Sequence, residues 1–422
     1  MPDIRFIVSL LTARREYDVA RVLYNNGLLD SLFTDLYYAP NQPIENLLKI
    51  VLPQRVRKVL NKYQSPIPKI KVHYDLPLGI EFRYKLSKNK RGDYYKAQID
   101  AYKKLNKRVI KYAEKSDSKD KLAFFGFDTA CLELFEWGAY NQSHLVMEQC
   151  VAPRKTQIKM HQYFASVSKD SCQKMIEHCL HLQEREEKEW ELADTIVAPS
   201  SFVKDKLIEA GAPQEKITVI PFGYNPTHLQ KEAENCIETR FRSDKEKIKI
   251  LFAGNAGQRK GIYDLFSIAE DMKAENVHFL IAGAIEENCQ NYLNSIKLDN
   301  VSFLGKLSQA DLHEEYRKAD IFFFPSYLEG SAMVLLEAMS WGVPVVTTYE
   351  SGSVIQHKHD GFICSAGDKK DMKYWLSKLI NDLGLRYEIS KNALYTSAKY
   401  TLEQYSDQLV NKLTNVKQSS YA

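Results

Sequence analysis

Residues 319–349 read ADIFFFPSYLEGSAMVLLEAMSWGVPVVTTY. Residues 321–324 are an unbroken apolar run, the pattern of a parallel strand buried on both faces. Residues 343–347 form a second such run, set off by Gly342 and Pro344. Between the two lie a turn and a helix, which predicts a βαβ unit with a ligand site at its mouth. Glu329 and Glu337 stand eight residues apart. At a helical rise of about 1.5 Å per residue the carboxylates are roughly 12 Å apart and on the same side. The acid and base of a glycosidase sit closer, at about 5 to 9.5 Å, so this pair suits the two ends of one elongated polar ligand, such as a nucleotide-sugar.

Outward from this unit, the C-terminal half alternates strand and helix. Strands are expected at 247–253, 277–282 and 301–304, and helices at 262–272 and 312–318. The N-terminal half keeps the beat less regularly, with strands at 5–9, 122–127, 144–151, 195–198 and 217–220 and helices at 17–25, 132–140, 169–192 and 202–210. This predicts an α/β fold with parallel, doubly wound sheets. A chain of 422 residues exceeds one ordinary core, so two domains are expected. They are placed at 1–223, with an insertion at about 38–95, and at 248–400. A polar linker joins them at 224–247, and a last helix within 401–422 packs back on the first domain.

The Glu-x7-Glu pair, the strand before it, the Glu-Gly-Ser turn, the Glu-Ala-Met helix and the Gly-Val-Pro-Val-Val strand resemble the retaining glycosyltransferases of family 4, the glycosyl transferases group 1. The resemblance implies a GT-B fold, two Rossmann-like domains facing across a cleft. It also implies transfer of a sugar from a UDP- or GDP-linked donor to a glycan or lipid-linked acceptor in cell-surface polysaccharide or glycolipid biosynthesis. The alternative is a non-catalytic nucleotide-sugar binder in a glycan assembly complex. Oxidoreduction with NAD fits poorly, because no Gly-x-Gly-x-x-Gly follows a strand.

A departing diphosphate needs preorganised cations or backbone donors. Residues 254–261, GNAGQRKG, follow an expected strand and precede an expected helix, and they resemble the family's phosphate loop. Arg259 offers a planar fork of donors and Lys260 a compact charge, and both are assigned to the diphosphate and to catalysis. Gly254 and Asn255 open that loop; many family members carry an Arg where this chain has Asn255. The turn Gly330-Ser331-Ala332 begins the Glu337 helix, whose first N–H groups suit an anion. By resemblance, Glu329 contacts donor-sugar hydroxyls and is counted as catalytic, Glu337 accepts from the ribose, and Lys306 lies where the family contacts the base. On the acceptor side, Arg14 and Arg15 fall in a glycine-free loop after the first strand and suit an anionic acceptor. Glu148 stands where relatives place a histidine; it is either an acceptor-side group or a buried, paired carboxylate.

The net charge of +4 hides an asymmetry: residues 1–50, 51–115 and 116–422 carry −1, +13 and −8. At helical spacing, Arg55, Arg57, Lys58 and Lys62 flank a stripe of Val51, Leu52, Val56, Val59 and Leu60. Such a face suits an anionic membrane surface, or else packs on its own domain among solvated cations. Nucleic acid is not expected, since no nucleic-acid-binding motif occurs. Seven cysteines without a Cys-x-x-Cys pair point to a reducing compartment. The N-terminus reads as a first strand rather than a leader, and no apolar run approaches a bilayer span. A cytoplasmic protein, at most peripheral to the membrane, is expected. No cofactor is expected beyond the nucleotide-sugar co-substrate, and no metal: the chain has no Asp-x-Asp, and Cys172, Cys179 and His181 lack zinc spacing.

Overall fold

A computed structural model describes residues 4–38, 62–88, 94–116, 121–167, 172–226, 230–242, 247–296 and 298–415. Two parallel sheets organise them. The first contains β1 (Ile4–Ser9), β2 (Leu29–Thr34), β3 (Val72–Tyr74), β4 (Lys121–Phe127), β5 (His144–Glu148), β6 (Thr195–Ala198) and β7 (Ile217–Val219), in the order β3-β2-β1-β4-β5-β6-β7. The second contains β8 (Ile248–Ala253), β9 (Val277–Ala282), β10 (Val301–Gly305), β11 (Ile321–Phe324), β12 (Val345–Thr348) and β13 (Phe362–Cys364), in the order β10-β9-β8-β11-β12-β13. Each order reverses beside its first strand, between β1 and β4 and between β8 and β11. Ligands of open α/β sheets bind at such a reversal, outside the carboxyl ends of the strands.

Burial on both faces explains the strand sequences. Phe6 and Val8 point into one apolar cluster with Phe125 and Val146, while Ile7 points into the opposite one with Phe124 and Leu145. Such strands read as continuous apolar runs, because alternate residues serve two cores. In the second sheet Phe252, Phe322, Phe324 and Val345 share one core with Leu265 and Phe266 of the Ile262–Asp271 helix.

The connections differ from the sequence expectation in three places. The stretch 38–95, expected as an insertion, supplies the edge strand β3, whose Leu32↔Val72 pairing extends the first sheet. Three residues are too few to show a period. The polar stretch 224–247, expected as a linker, holds the helix Gln230–Arg242, whose Ala233 and Ile237 enter the second core. Its apolar residues are sparse, so composition masks it. A helix at Arg154–Val167, not read from the sequence, runs beside the Gln173–Leu192 helix.

The chain passes between the halves twice, side by side. Tyr224 N donates to Tyr400 O at 2.9 Å, and a Cβ on Gly223 would meet Thr401 O at 2.4 Å. Beyond this crossing the Leu402–Asn415 helix places Tyr405, Leu409 and Leu413 in the cluster of Phe6 and Val8.

Candidate active site

The reversal between β8 and β11 gathers the sequence-predicted donor residues. β8 ends at Ala253 and leads through Gly254 and Asn255 into the short turn Gln258–Lys260. β11 ends at Phe324 and leads through Ser326 to Glu329. The two loops are clamped together: Tyr327 N donates to Arg259 O at 2.8 Å. Gly261 has φ +71°, and a Cβ there would stand 1.9 Å from Pro325 O, so only glycine permits this approach.

One carboxylate oxygen is the focus. Glu329 Oε1 accepts from Arg259 Nη1 at 2.7 Å and from Ser326 Oγ at 2.9 Å, and it lies 2.6 Å from Lys260 Nζ. Arg259 Nη1 also donates to Leu328 O at 2.6 Å. The Arg259 side chain remains 43 % exposed while those of Glu329 and Lys260 are 13 % and 15 %. Burial holds the Lys260 ammonium below the ordinary lysine range, and the attraction of Glu329 only partly offsets it. Three donors therefore converge on one oxygen, with a guanidinium edge still open to solvent.

Glu337 sits on the Met333–Ser340 helix and accepts from Tyr316 Oη at 3.0 Å. Burial pushes its carboxyl above the usual glutamate range, with the Tyr316 hydroxyl pulling the other way. Among the turn residues that lead into this helix, Ala332 N already donates to Ser351 O at 3.1 Å. Lys306, directly after β10, and Asn255 are exposed at the carboxyl edge of the same sheet.

The first domain closes on this edge. Ser200 Oγ donates to Gly330 O at 2.6 Å, and a Cβ on Gly330 would stand 2.0 Å from Cys150 O. The Tyr327 ring lies 4.9 Å from Phe164 and 5.8 Å from Tyr163, both on the Arg154–Val167 helix. That helix also brings His161 to the cleft. Burial first, and then the positive charge of Arg259, lower its pKa below the ordinary histidine value.

The acceptor-side residues separate. Glu148 has no exposed surface. Its oxygens take Arg15 Nη2 at 3.0 Å and Tyr405 Oη at 3.3 Å, and the Arg15 guanidinium lies 3.6 Å over the Phe222 ring. Against the depressing effect of burial, Glu148 and Tyr405 hold Arg15 above its ordinary pKa. Of the two alternatives for Glu148, this geometry is the buried, paired carboxylate, and Arg15 is its partner. Arg14 differs: its side chain is 39 % exposed, 3.9 Å from Asp128.

Four residues at the cleft had gone unread in the sequence: Ser326, Tyr316, His161 and Glu286. The Glu286 carboxylate lies against Gly257, where a Cβ would meet its Cδ at 2.1 Å, and its charge acts on Lys260. Ser326 carries the one legible signal, three residues before Glu329 in the same turn. The other three are defined by contacts between distant segments. Among the described residues, no cluster of three or more His, Cys, Asp or Glu side chains has metal-site geometry.

Residues 236–395 match the model of the glycosyl transferases group 1. That span holds the whole Arg259–Lys260–Glu329 constellation. The chain is 31 % identical over 231 residues to the capsular polysaccharide biosynthesis glycosyltransferase CapM of Staphylococcus aureus, covering 52 % of this chain and 59 % of CapM. It is 30 % identical over 202 residues to the N,N'-diacetylbacillosaminyl-diphospho-undecaprenol alpha-1,3-N-acetylgalactosaminyltransferase of Campylobacter jejuni, covering 45 % of this chain and 52 % of that enzyme. The chain thus spans just over half the length of these two relatives. The fold extends further than the sequence likeness. Anabaena HepE in complex with UDP superposes with a TM-score of 0.58 at 16 % identity, covering 99 % of this chain and 100 % of HepE. The sucrose-phosphate synthase of Thermosynechococcus elongatus superposes with a TM-score of 0.64 at 15 % identity, again covering 99 % and 100 %. The fold is GT-B, two parallel α/β sheets with interleaved helices. No described helix is long and apolar enough to cross a membrane. The basic and apolar stripe at 51–62 suggested by the sequence lies outside the described residues apart from Lys62.

Proposed function

We propose that this chain is a retaining, family 4 type glycosyltransferase, moving a sugar from a UDP- or GDP-linked donor to a glycan or lipid-linked acceptor in cell-surface polysaccharide or glycolipid synthesis. The observation that carries this reading is the convergence of Arg259, Lys260 and Ser326 on Glu329 at the β8–β11 reversal, under the edge of the first domain. Arg259 and Lys260 hold the donor diphosphate. When a donor enters, its phosphate oxygens take donors that now serve Glu329, and that carboxylate turns to the sugar hydroxyls. Glu337, oriented by Tyr316, accepts from the ribose. The bond between the anomeric carbon and phosphate oxygen breaks as the acceptor oxygen bonds to the same face. The departing phosphate takes the acceptor proton while Arg259 and Lys260 stabilise its charge. Arg14, at the open rim of the first domain, faces an anionic acceptor; Arg15 and Glu148 hold the wall behind it. The names of CapM and the Campylobacter enzyme support this choice of acceptor class, and the UDP bound by HepE supports a UDP-linked donor.

The test incubates the full chain with UDP- and GDP-sugars, with and without a polyprenyl-diphosphate-sugar acceptor, and scores nucleotide release and product stereochemistry. Acceptor-dependent release with a retained anomeric centre supports the proposal. Binding without acceptor-dependent release supports the non-catalytic binder instead. Because two cations of the protein meet the diphosphate, transfer is expected to persist in excess EDTA.

A further inference from the structure

The loop that holds Arg259 belongs to the second domain but is seated in the first. Both ends of Arg259 bind residues 326–329. Its carbonyl oxygen accepts from Tyr327 N at 2.8 Å and from Ser326 Oγ at 3.2 Å, and its Nη1 donates to Leu328 O at 2.6 Å and Glu329 Oε1 at 2.7 Å. The ends of the loop are fixed within the second domain, where Thr348 Oγ1 donates to Ser326 O and Glu329 N donates to Glu350 O. Its middle reaches across the cleft. Leu328 is buried in the apolar cluster of Phe124, Phe135, Leu145 and Phe202 in the first domain, and Tyr327 packs against the same cluster.

Tyr327 is the residue that joins these parts. Its ring stacks on Tyr163, with centroids 5.8 Å apart and planes at 26°, and meets Phe164 edge-on at 4.9 Å, both on the Arg154–Val167 helix of the first domain. Its hydroxyl donates to Asp264 Oδ2 at 2.7 Å, in the first turn of the helix that follows the phosphate loop. Burial lifts the Asp264 carboxyl above the ordinary aspartate range, and the Tyr327 hydroxyl draws it back. The phosphate loop is thus tied to Tyr327 on both flanks, at Arg259 O before the helix and at Asp264 within it. A contact that only glued two domains together would need neither tie. Hydrogen bonds weaken steeply as their angles open, so a tilt of this ring, carried through the Tyr327 N–H, misaims the Arg259 donors. Donors aimed at a developing charge act by being fixed in advance, and a displacement of about 1 Å is enough to lose much of their effect.

We infer that Tyr327 is a positioning residue: it transmits the contact with Tyr163 and Phe164 to Arg259, so that the diphosphate grip is in register only while the first domain holds this ring. The inference rests on the assignment of Arg259 to the donor diphosphate, and it adds a requirement that comes from the opposite domain.

UDP and GDP are titrated calorimetrically into the full chain and into Tyr163→Ala, Tyr163→Phe, Arg259→Ala and the double variant Tyr163→Ala, Arg259→Ala. Tyr163 is 47 % exposed, so its ring can be removed with the fold intact, which the melting temperature checks. Affinity for the nucleotide that binds should fall about 3- to 10-fold in Tyr163→Ala, the range of a lost aromatic pair. Tyr163→Phe keeps the ring and should bind as the wild type does. In the Arg259→Ala background the same Tyr163→Ala change should alter affinity less than about 2-fold, because both act through one contact. Without nucleotide, the Tyr327 amide, bonded to Arg259 O, should exchange its hydrogen faster in Tyr163→Ala than in the wild type. Unchanged affinity in the folded Tyr163→Ala chain overturns the inference alone, as does a loss of the same size with and without Arg259. No binding by the wild type, or equal affinity in the wild type and Arg259→Ala, overturns the donor assignment and the inference with it.

Discussion

Each sheet reverses its strand order once, and beside each reversal an arginine meets a glutamate, yet the two places are built for different work. At the first, Glu148 is sealed from water and bound by Arg15 and Tyr405, with Phe222 covering the guanidinium. At the second, Glu329 is shared between Arg259 and Lys260 on one oxygen, and Arg259 keeps an open edge. Burial, not residue type, separates a wall from a grip. A buried pair is costly to break because the survivor is left charged and unsolvated, whereas a cation that is itself partly open, as Arg259 is, can turn its donors to a competing anion.

The contrast is broken first by comparing stabilities. Glu148→Ala should cost about 3–5 kcal/mol in denaturant unfolding, and Glu329→Ala less, because its partner Arg259 is 43 % exposed and can be solvated. Equal losses would mean that both reversals are structural. In activity the order inverts: Arg259→Ala should lower the rate of transfer by about 10²–10³ with an unchanged unfolding midpoint. A double-variant cycle sharpens the point, since Arg15 and Glu148 should couple in stability and Arg259 and Glu329 in turnover.

Much of this was open to reading in advance, and the reasons are physical. β6, β9 and β11 span the runs expected of them because a strand buried on both faces leaves an unmistakable apolar block. β2, reading LDSLFT, escaped notice: Asp30 and Ser31 interrupt the block, their polar atoms taken up by the Tyr112 hydroxyl of a neighbouring helix. That helix, Tyr94–Ala113, is rich in lysine and was equally hidden. At the site, Arg259, Lys260 and Glu329 could be grouped because their loops resemble the family's phosphate loop and Glu-x7-Glu unit, and the ends of parallel strands bring those loops to one edge. The roles of Glu148 and Arg15 were not, since a hydroxyl from residue 405 and a ring from residue 222 decide them. No local spacing encodes such contacts.

Smaller effects probe the same contrast. Tyr405→Phe removes one hydroxyl from the Glu148 pair and should cost about 1 kcal/mol, with donor affinity unchanged in a titration. Acidity should act on the donor site. Because burial raises the Glu337 pKa, its carboxylate is lost as pH falls, starting above the ordinary glutamate range, and the donor KM should rise on that acid limb. Because burial lowers the Lys260 pKa, its charge is lost as pH rises, starting below the ordinary lysine range, and the KM should rise again on the alkaline limb. A flat KM across both limbs would contradict these assignments.

Calorimetric titration of a panel of UDP- and GDP-sugars into the wild-type chain and into Arg259→Ala and Lys260→Ala puts the donor grip itself under test. The expected result is saturable binding of one nucleotide class by the wild type and at least ~10-fold weaker binding by each variant, a loss of about 1.4 kcal/mol or more, with melting temperatures alike. Undiminished affinity in both variants would show that the diphosphate is held elsewhere.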